Sequence, residues 1–390
     1  MRTLKRAILA FVLTLAVVSA SFAGKAPKNI ILLIGDGMGI GIIASAKHNV
    51  KGGRLAMEDF PVTGFSITTP ADHIVTDSAA SGTAFSTGFK TNNGMIARLP
   101  NGKDVNSIRY YAQQRGMKTA IVSVKNITDA TPAVFLSHAD HRSELFNIAA
   151  QIPFSGCDVI LGGGLSHFVS GSEGGDVVIR DAAGKETVVK GSRDDGKNVV
   201  DDIKAQGYTF VTTKEDMQKS DADKLFGLFD AGIMNTAPDT PEPTLTEMTM
   251  KAIDIINRNN KNGFFIMSEA GCIDSGNHAN NHAYALQEML EFDRTIRACL
   301  DFAKKDGETL IVITADHDTG SMGCVDPSEH AISEGRATSA VYGTGGHSAN
   351  WVPVFAYGPG AEYFAGAQQN IAIPRRFASF WGLDLVKLAK

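Results

Sequence analysis

The chain has 390 residues, 43% of them hydrophobic and 20% charged, with a formal net charge of -5. That composition is globular, and the length is enough to bury a large core. The mild acidity supplies no basic surface for a nucleic-acid partner.

Arg2, Lys5 and Arg6 make a basic start, followed by an almost unbroken apolar run from Ala7 to Ala20. Ser21-Phe22-Ala23 then puts small residues where signal peptidase reads, which predicts export with cleavage after Ala23. The run is short for a membrane span, and no Cys follows it to carry a lipid. Residues 1–23 therefore read as a signal peptide, and 24–390 as a periplasmic or secreted chain without a membrane anchor.

The next segments repeat one design. Lys28 to Ile34 is an apolar run that feeds Gly35-Asp36-Gly37-Met38-Gly39, a buried parallel strand ending in a turn. Thr119 to Val124, Asp158 to Leu161, Gly263 to Met267 and Thr309 to Thr314 read the same way. Helical stretches lie between them, for example His282 to Lys305. Strands alternating with helices predict a largely parallel sheet covered on both faces. Residues 168–198, rich in Gly, Asp and Lys, read as a surface hairpin insertion. Pro238, Pro241 and Pro243 mark a loop before a helix starting near Thr244. No repeat or linker divides the chain, so 24–390 is expected to be a single domain. Cys157, Cys272, Cys299 and Cys324 allow three disulfide pairings, and sequence does not choose among them. They form no CxxC pair, which argues against a Cys-rich zinc site.

The acids and histidines are placed suggestively. Asp36, Glu269 and the Asp316-His317 pair each directly follow a predicted strand. In open α/β sheets ligands bind beyond the carboxyl ends of the strands, so these residues converge on one edge. Asp274 and His278 are four apart, a helical spacing that lets both grip one metal ion. Oxygen plus imidazole suits zinc. His282, four residues further, is a competing ligand, an outer partner or a plain helix residue. His347 follows two glycines, which permit a close backbone approach. In Thr76-Asp77-Ser78, Thr76 or Asp77 can cap a helix beginning at about Ser78. Ser78 would then sit at unsatisfied N–H groups, a seat for phosphate. No GxSxG elbow surrounds it and no His base is indicated by spacing, so it needs another activator, and a metal ion can serve.

At this point the chain resembles the alkaline phosphatases. Gly35-Asp36-Gly37-Met38-Gly39, Thr76-Asp77-Ser78-Ala79-Ala80-Ser81 and Asp129-Ala130-Thr131-Pro132 with Arg142 look like family signatures. Glu269 to His278, Thr314-Ala315-Asp316-His317 and Gly346-His347 follow in the family order. The resemblance implies a three-layer α/β/α sandwich around a large, mostly parallel sheet. It implies two zinc ions and one magnesium. Asp274, His278 and His347 would hold one zinc. Asp36, Asp316 and His317 would hold the other, with Ser78 as its reactive ligand. Asp36, Thr131 and Glu269 would hold the magnesium. Arg142 would grip two oxygens of the substrate phosphate. Small phosphate monoesters would be cleaved by two in-line displacements through phosphoserine on Ser78, and a homodimer is implied. Asp129 and Ser275 occupy positions that often carry His or Lys in this family, where they would reach the phosphate through water.

A dinucleotide fingerprint fails, because Ile40 stands where GxGxxG needs Gly. A sulfatase would need Pro two residues after the nucleophile, and Ala80 is there. A phosphodiesterase of the same superfamily and a non-enzymatic phosphate- or metal-binding protein remain the alternatives. Relative rates on mono- and diesters, and their loss in chelator, separate them.

Overall fold

The computed structural model describes residues 24, 26–172, 176–180, 186–236 and 240–388. The export segment 1–23 and Pro238 lie outside the described residues.

The sheet grows from β1 (Asn29–Gly35), whose Ile30, Ile31, Leu32, Leu33 and Ile34 are all 0% exposed. Burying each such side chain stabilises the fold by about 1.5–3 kcal/mol. Alternate residues serve opposite cores. Ile30, Leu32 and Ile34 join one apolar cluster, and Ile31 and Leu33 join the other. This two-faced burial explains why the strand is a continuous apolar run.

In chain order the other strands are β2 (Val62–Ile67), β3 (Lys118–Asn126), β4 (Val159–Gly163), β5 (Val177–Arg180), β6 (Glu186–Val189), β7 (Thr209–Val211) and β8 (Leu225–Leu228). Then come β9 (Phe264–Ala270), β10 (Thr309–Thr314), β11 (Asp318–Thr319), β12 (Gly323–Val325), β13 (Ser339–Val341), β14 (His347–Ser348), β15 (Val352–Tyr357) and β16 (Gly366–Gln369). Ten of them form one sheet in the order β16-β2-β15-β10-β1-β9-β3-β4-β8-β7. Helices cover both faces, giving the three-layer α/β/α sandwich expected above. Ile42, Ile253 and Phe292 of helices Ile40–Asn49, Leu245–Asn257 and His282–Asp306 pack on one side. Phe85, Ala133 and Phe377 of helices Ser78–Thr87, Ala130–Leu136 and Ala372–Phe380 pack on the other. No helix among the described residues is long and apolar enough to cross a membrane.

Within this sheet β15 is antiparallel to both neighbours, β10 and β2. The other pairings are parallel. The reversal has a functional consequence. A strand running backwards begins where its neighbours end, so the segment entering β15 arrives at the carboxyl edge of β1, β9 and β10. That segment carries His347.

Between residues 168 and 198, β5 and β6 pair antiparallel as a two-stranded ribbon. Thr244 caps the helix Leu245–Asn257, with Glu247 completing a capping box. One expectation needs correction. Glu269 does not follow its strand but lies within β9, because β1 extends the pairing by matching Ile34 to Glu269 and Gly35 to Ala270. The four cysteines are free thiols.

Candidate active site and metal centre

Four chain segments meet at the carboxyl edge of the sheet. Asp36 leaves β1 into a tight turn and is fully buried. Gly37 takes φ +70, and a Cβ there would sit 2.7 Å from Thr319 Oγ1, so glycine is required on both counts. Asp316 and His317 leave β10, also fully buried. Asp274 and His278 lie on the short helix Cys272–His278 that follows β9, one turn apart. His347 comes from β14, which pairs with β11 so that Thr319 faces His347.

These residues form three groups whose ligand atoms lie within 4.8 Å of one another: Asp274, His278 and His347; Asp36, Asp316 and His317; Asp36, Asp129 and Glu269. The first two match the predicted zinc sets. The third contains Asp129, which had been expected to act on phosphate through water. Thr131 is fully buried in the helix Ala130–Leu136, and its hydroxyl oxygen has no partner. Ser275 is half-buried, one residue beyond Asp274. His282 lies elsewhere: its Nε2 meets Ser45 Oγ at 2.7 Å and its Nδ1 meets Arg336 Nη1 at 2.8 Å.

Hydrogen-bond logic decides what this cluster lacks. His278 Nδ1 is 2.7 Å from the Gly345 carbonyl and His347 Nδ1 is 2.9 Å from the Thr76 carbonyl. A carbonyl only accepts, so both Nδ1 atoms carry the hydrogen. In the neutral rings the two Nε2 atoms, 3.0 Å apart, then face each other as lone pairs. Thr319 Oγ1 donates to Asp274 Oδ1 at 2.6 Å and so accepts from His317 Nδ1 at 3.1 Å. In the neutral ring His317 Nε2 then carries the lone pair, 3.0 Å from Asp316 and 3.6 Å from Asp36. Asp36 Oδ1, Asp316 Oδ2, Glu269 Oε1 and Thr131 Oγ1 are all buried without a hydrogen-bond partner. Unpaired buried acceptors are costly. A set of them converging on shared points fits cations bound there. Imidazole with carboxylate suits zinc in two groups, and oxygen alone suits magnesium in the third.

Burial and mutual repulsion set the acidity of these carboxyl groups. Burial, reinforced by Asp274 and Asp316, raises Asp36 well above its ordinary value. Burial and then Asp129 push Glu269 up to about 7. For Asp274 burial acts upward, but Lys125, His347, His317 and His278 outweigh it and hold the carboxyl well below its usual value.

Ser78 opens the helix Ser78–Thr87, capped by Asp77, whose Oδ1 accepts from Ala80 N at 2.9 Å. Ser78 Oγ lies 3.1 Å from His317 Nε2, a neighbour that sequence spacing did not indicate. This is not a Ser-His-Asp triad. His317 Nδ1 faces a threonine, and the two carboxylates crowd the same Nε2 that meets the serine. Arg142 reaches Asp77 Oδ2 and Asp129 Oδ1, both at 3.4 Å, so its guanidinium is aimed between the Ser78 helix and the third group.

Three participants escaped sequence reasoning. Thr319 orients Asp274 and His317, and Ser123 Oγ donates to Glu269 Oε2 at 2.5 Å. Lys125, near the end of β3, is buried with Nζ 3.1 Å from Asp274 Oδ2 and 3.5 Å from Asp36 Oδ2. Its signal was available, because a charge just past a predicted apolar strand is the pattern that singled out Asp36. Burial alone would lower its pKa, but Asp36, Asp274, Asp129 and Glu269 outweigh that and raise it well above the ordinary lysine value.

A family model described as alkaline phosphatase matches residues 27–340. The chain belongs to the alkaline phosphatase family. Among relatives, alkaline phosphatase 4 of Bacillus subtilis (strain 168) is 36% identical over 76% of this chain, and the match spans 62% of that relative's length. The alkaline phosphatase of Escherichia coli (strain K12) is 31% identical over 89% of this chain and 84% of its own. The solved alkaline phosphatase from the Antarctic bacterium TAB5 superposes with a TM-score of 0.80 at 34% identity, covering 92% of this chain and 99% of that one. A variant of that enzyme with a histidine changed to aspartate has Mg bound in its M3 site.

Proposed function

We propose that this alkaline phosphatase family member hydrolyses small phosphate monoesters to alcohol and inorganic phosphate through phosphoserine on Ser78. The carrying observation is the convergence of imidazole nitrogens and unpartnered carboxylate oxygens around a buried serine at a helix N-terminus. In this reading Asp274, His278 and His347 hold one zinc, and Asp36, Asp316, His317 and Ser78 hold the second. Asp36, Thr131 and Glu269, with Asp129, hold magnesium. Magnesium in the TAB5 variant's M3 site supports that choice for an acid-rich third group. The ions would supply Lewis acidity at the serine hydroxyl, the transferring phosphoryl group and the departing alcohol.

The chain's own residues do the rest. Arg142, its two terminal nitrogens steadied by Asp77 and Asp129, clasps two phosphoryl oxygens and resists their displacement. Ser78 gives up its proton to solvent and attacks phosphorus in line with the ester oxygen; that P–O bond breaks, and the departing alkoxide takes a proton from solvent and leaves as the alcohol. Water then loses a proton and attacks phosphorus from the vacated side; the bond to Ser78 Oγ breaks, and Oγ regains a proton. The same reading has residues 1–23 removed on export, the domain 24–390 acting in the periplasm or medium, and two copies forming a homodimer. The mass of the exported protein, beginning at Gly24, checks the first of these.

The decisive test traps phosphate on Ser78 at acidic pH and locates it by peptide mass spectrometry. Ser78→Ala should lower monoester turnover by about three orders of magnitude without abolishing it, because Arg142 and the ligand groups remain. Inversion of configuration at a chiral phosphorus would exclude the two-step route.

A further inference from the structure

Lys125 reaches the centre along a path prepared for it. Gly271, between β9 and the helix that carries Asp274, has an ordinary helical φ of -72, so its backbone does not demand glycine. A Cβ there would sit 2.6 Å from Lys125 Cγ and 3.1 Å from Cδ. The missing side chain makes room for the lysine stem. The Lys125 backbone N–H is also tied at 2.9 Å to Ser123 Oγ, the hydroxyl that donates to Glu269.

At the end of that path the ammonium divides two carboxylates by oxygen. Asp274 turns Oδ1 to His278 Nε2 at 3.2 Å and Oδ2 to Lys125. Asp36 turns Oδ1 toward His317 and Oδ2 to Lys125. The oxygen that Asp36 does not share with His317, and which would serve a second ion, is thus already paired with a cation. Asp129 is likewise paired with Arg142, and Glu269 keeps one oxygen on Ser123. The three acids of the third group therefore face two fixed positive charges before any divalent ion arrives. Unlike charges at such distances in a buried site attract strongly, and a divalent ion placed beside Lys125 would be repelled in proportion.

We propose that Lys125 is a built-in counter-cation of the third group, taking over part of the charge balance that a divalent ion would supply, so that this chain binds magnesium there weakly. The inference rests on reading Asp36, Asp129, Thr131 and Glu269 as a divalent-cation site. Lys125 is a positioning residue: it holds the Oδ2 faces of Asp36 and Asp274 and leaves their Oδ1 faces to the histidine groups. The acid at Asp129 strengthens attraction for a cation, and Lys125 offsets it.

Magnesium binding to the zinc-loaded protein, measured by titration calorimetry with Mg²⁺ alone, tests this. Lys125→Met keeps the stem and removes the charge, and should bind magnesium at least ~10-fold more tightly than the parent chain. Lys125→Arg keeps the charge and should stay as weak as the parent. Lys125→Gln, a second neutral replacement, should move with Lys125→Met and guards against one variant failing to fold. A merely structural lysine would give the opposite sign, with looser ligands and weaker binding in both neutral variants. Unchanged or weaker magnesium binding there overturns the inference while leaving the third site standing. Absence of magnesium binding in all four proteins, with both zincs retained, overturns the third-site reading and this inference together.

Discussion

The two ends of the candidate metal centre are built on different terms. At the rim, His278 is exposed and His347 half-buried, and their orientation comes from backbone carbonyls of Gly345 and Thr76. The one acid of that group is Asp274, whose Oδ2 lies 3.1 Å from Lys125 Nζ. At the deep end, Asp36 and Glu269 are fully buried among side-chain partners, and Lys125 and Arg142 stand beside the acids. A rim group with one acid and two imidazoles gathers less negative charge and needs less built-in positive charge. A deep group in low dielectric carries part of its own, because an isolated cluster of buried carboxylates would neutralise by protonation instead. The raised pKa values of Asp36 and Glu269 are the trace of that pressure.

If the contrast holds, damage at the rim costs more than damage at the deep end. His347→Ala should remove the zinc held with Asp274 and His278 and lower turnover by more than ~100-fold, since even outer partners of ligands cost 10–100-fold. Metal analysis should find one zinc fewer with the rest intact. Full activity with unchanged zinc would break the comparison at its first term.

Glu269→Gln is the milder counterpart. It keeps the Ser123 hydrogen bond and removes one of the three acids. Turnover should fall by about tenfold, with both zincs kept. Loss of zinc in this variant would mean that the groups are a single unit rather than two ends.

The smallest effect sharpens the packing beneath Lys125. Gly271→Ala should lower stability in urea by about 1–3 kcal/mol through overpacking against the lysine stem. The penalty should largely vanish in a Lys125→Ala background, where the stem is gone. An equal penalty in both backgrounds would show that the glycine serves something other than Lys125.

Much of the candidate site was legible because its signals are local. Apolar runs ending in an acid mark strand ends, and Asp77 before Ser78 marks a helix start. Asp274 and His278 share a helical face by spacing alone. Motif resemblance then supplied what periodicity does not, namely Thr131, Arg142 and His347.

Tertiary structure decided the rest. Lys125 matters because β3 lies beside β9, and Glu269 is inside a strand because β1 extends its pairing there. The antiparallel β15 carries His347 to the carboxyl edge. Asp129 joins the third group because Arg142, thirteen residues away, and Asp36, in the turn after β1, converge on it. Hydrophobic period and capping depend on neighbours in sequence, so the chain by itself determined the elements and most ligand types. Which charges share a buried space depends on strand order and register, which neighbours in sequence do not encode. The balance of charge at the deep end was therefore set only when the sheet closed around it.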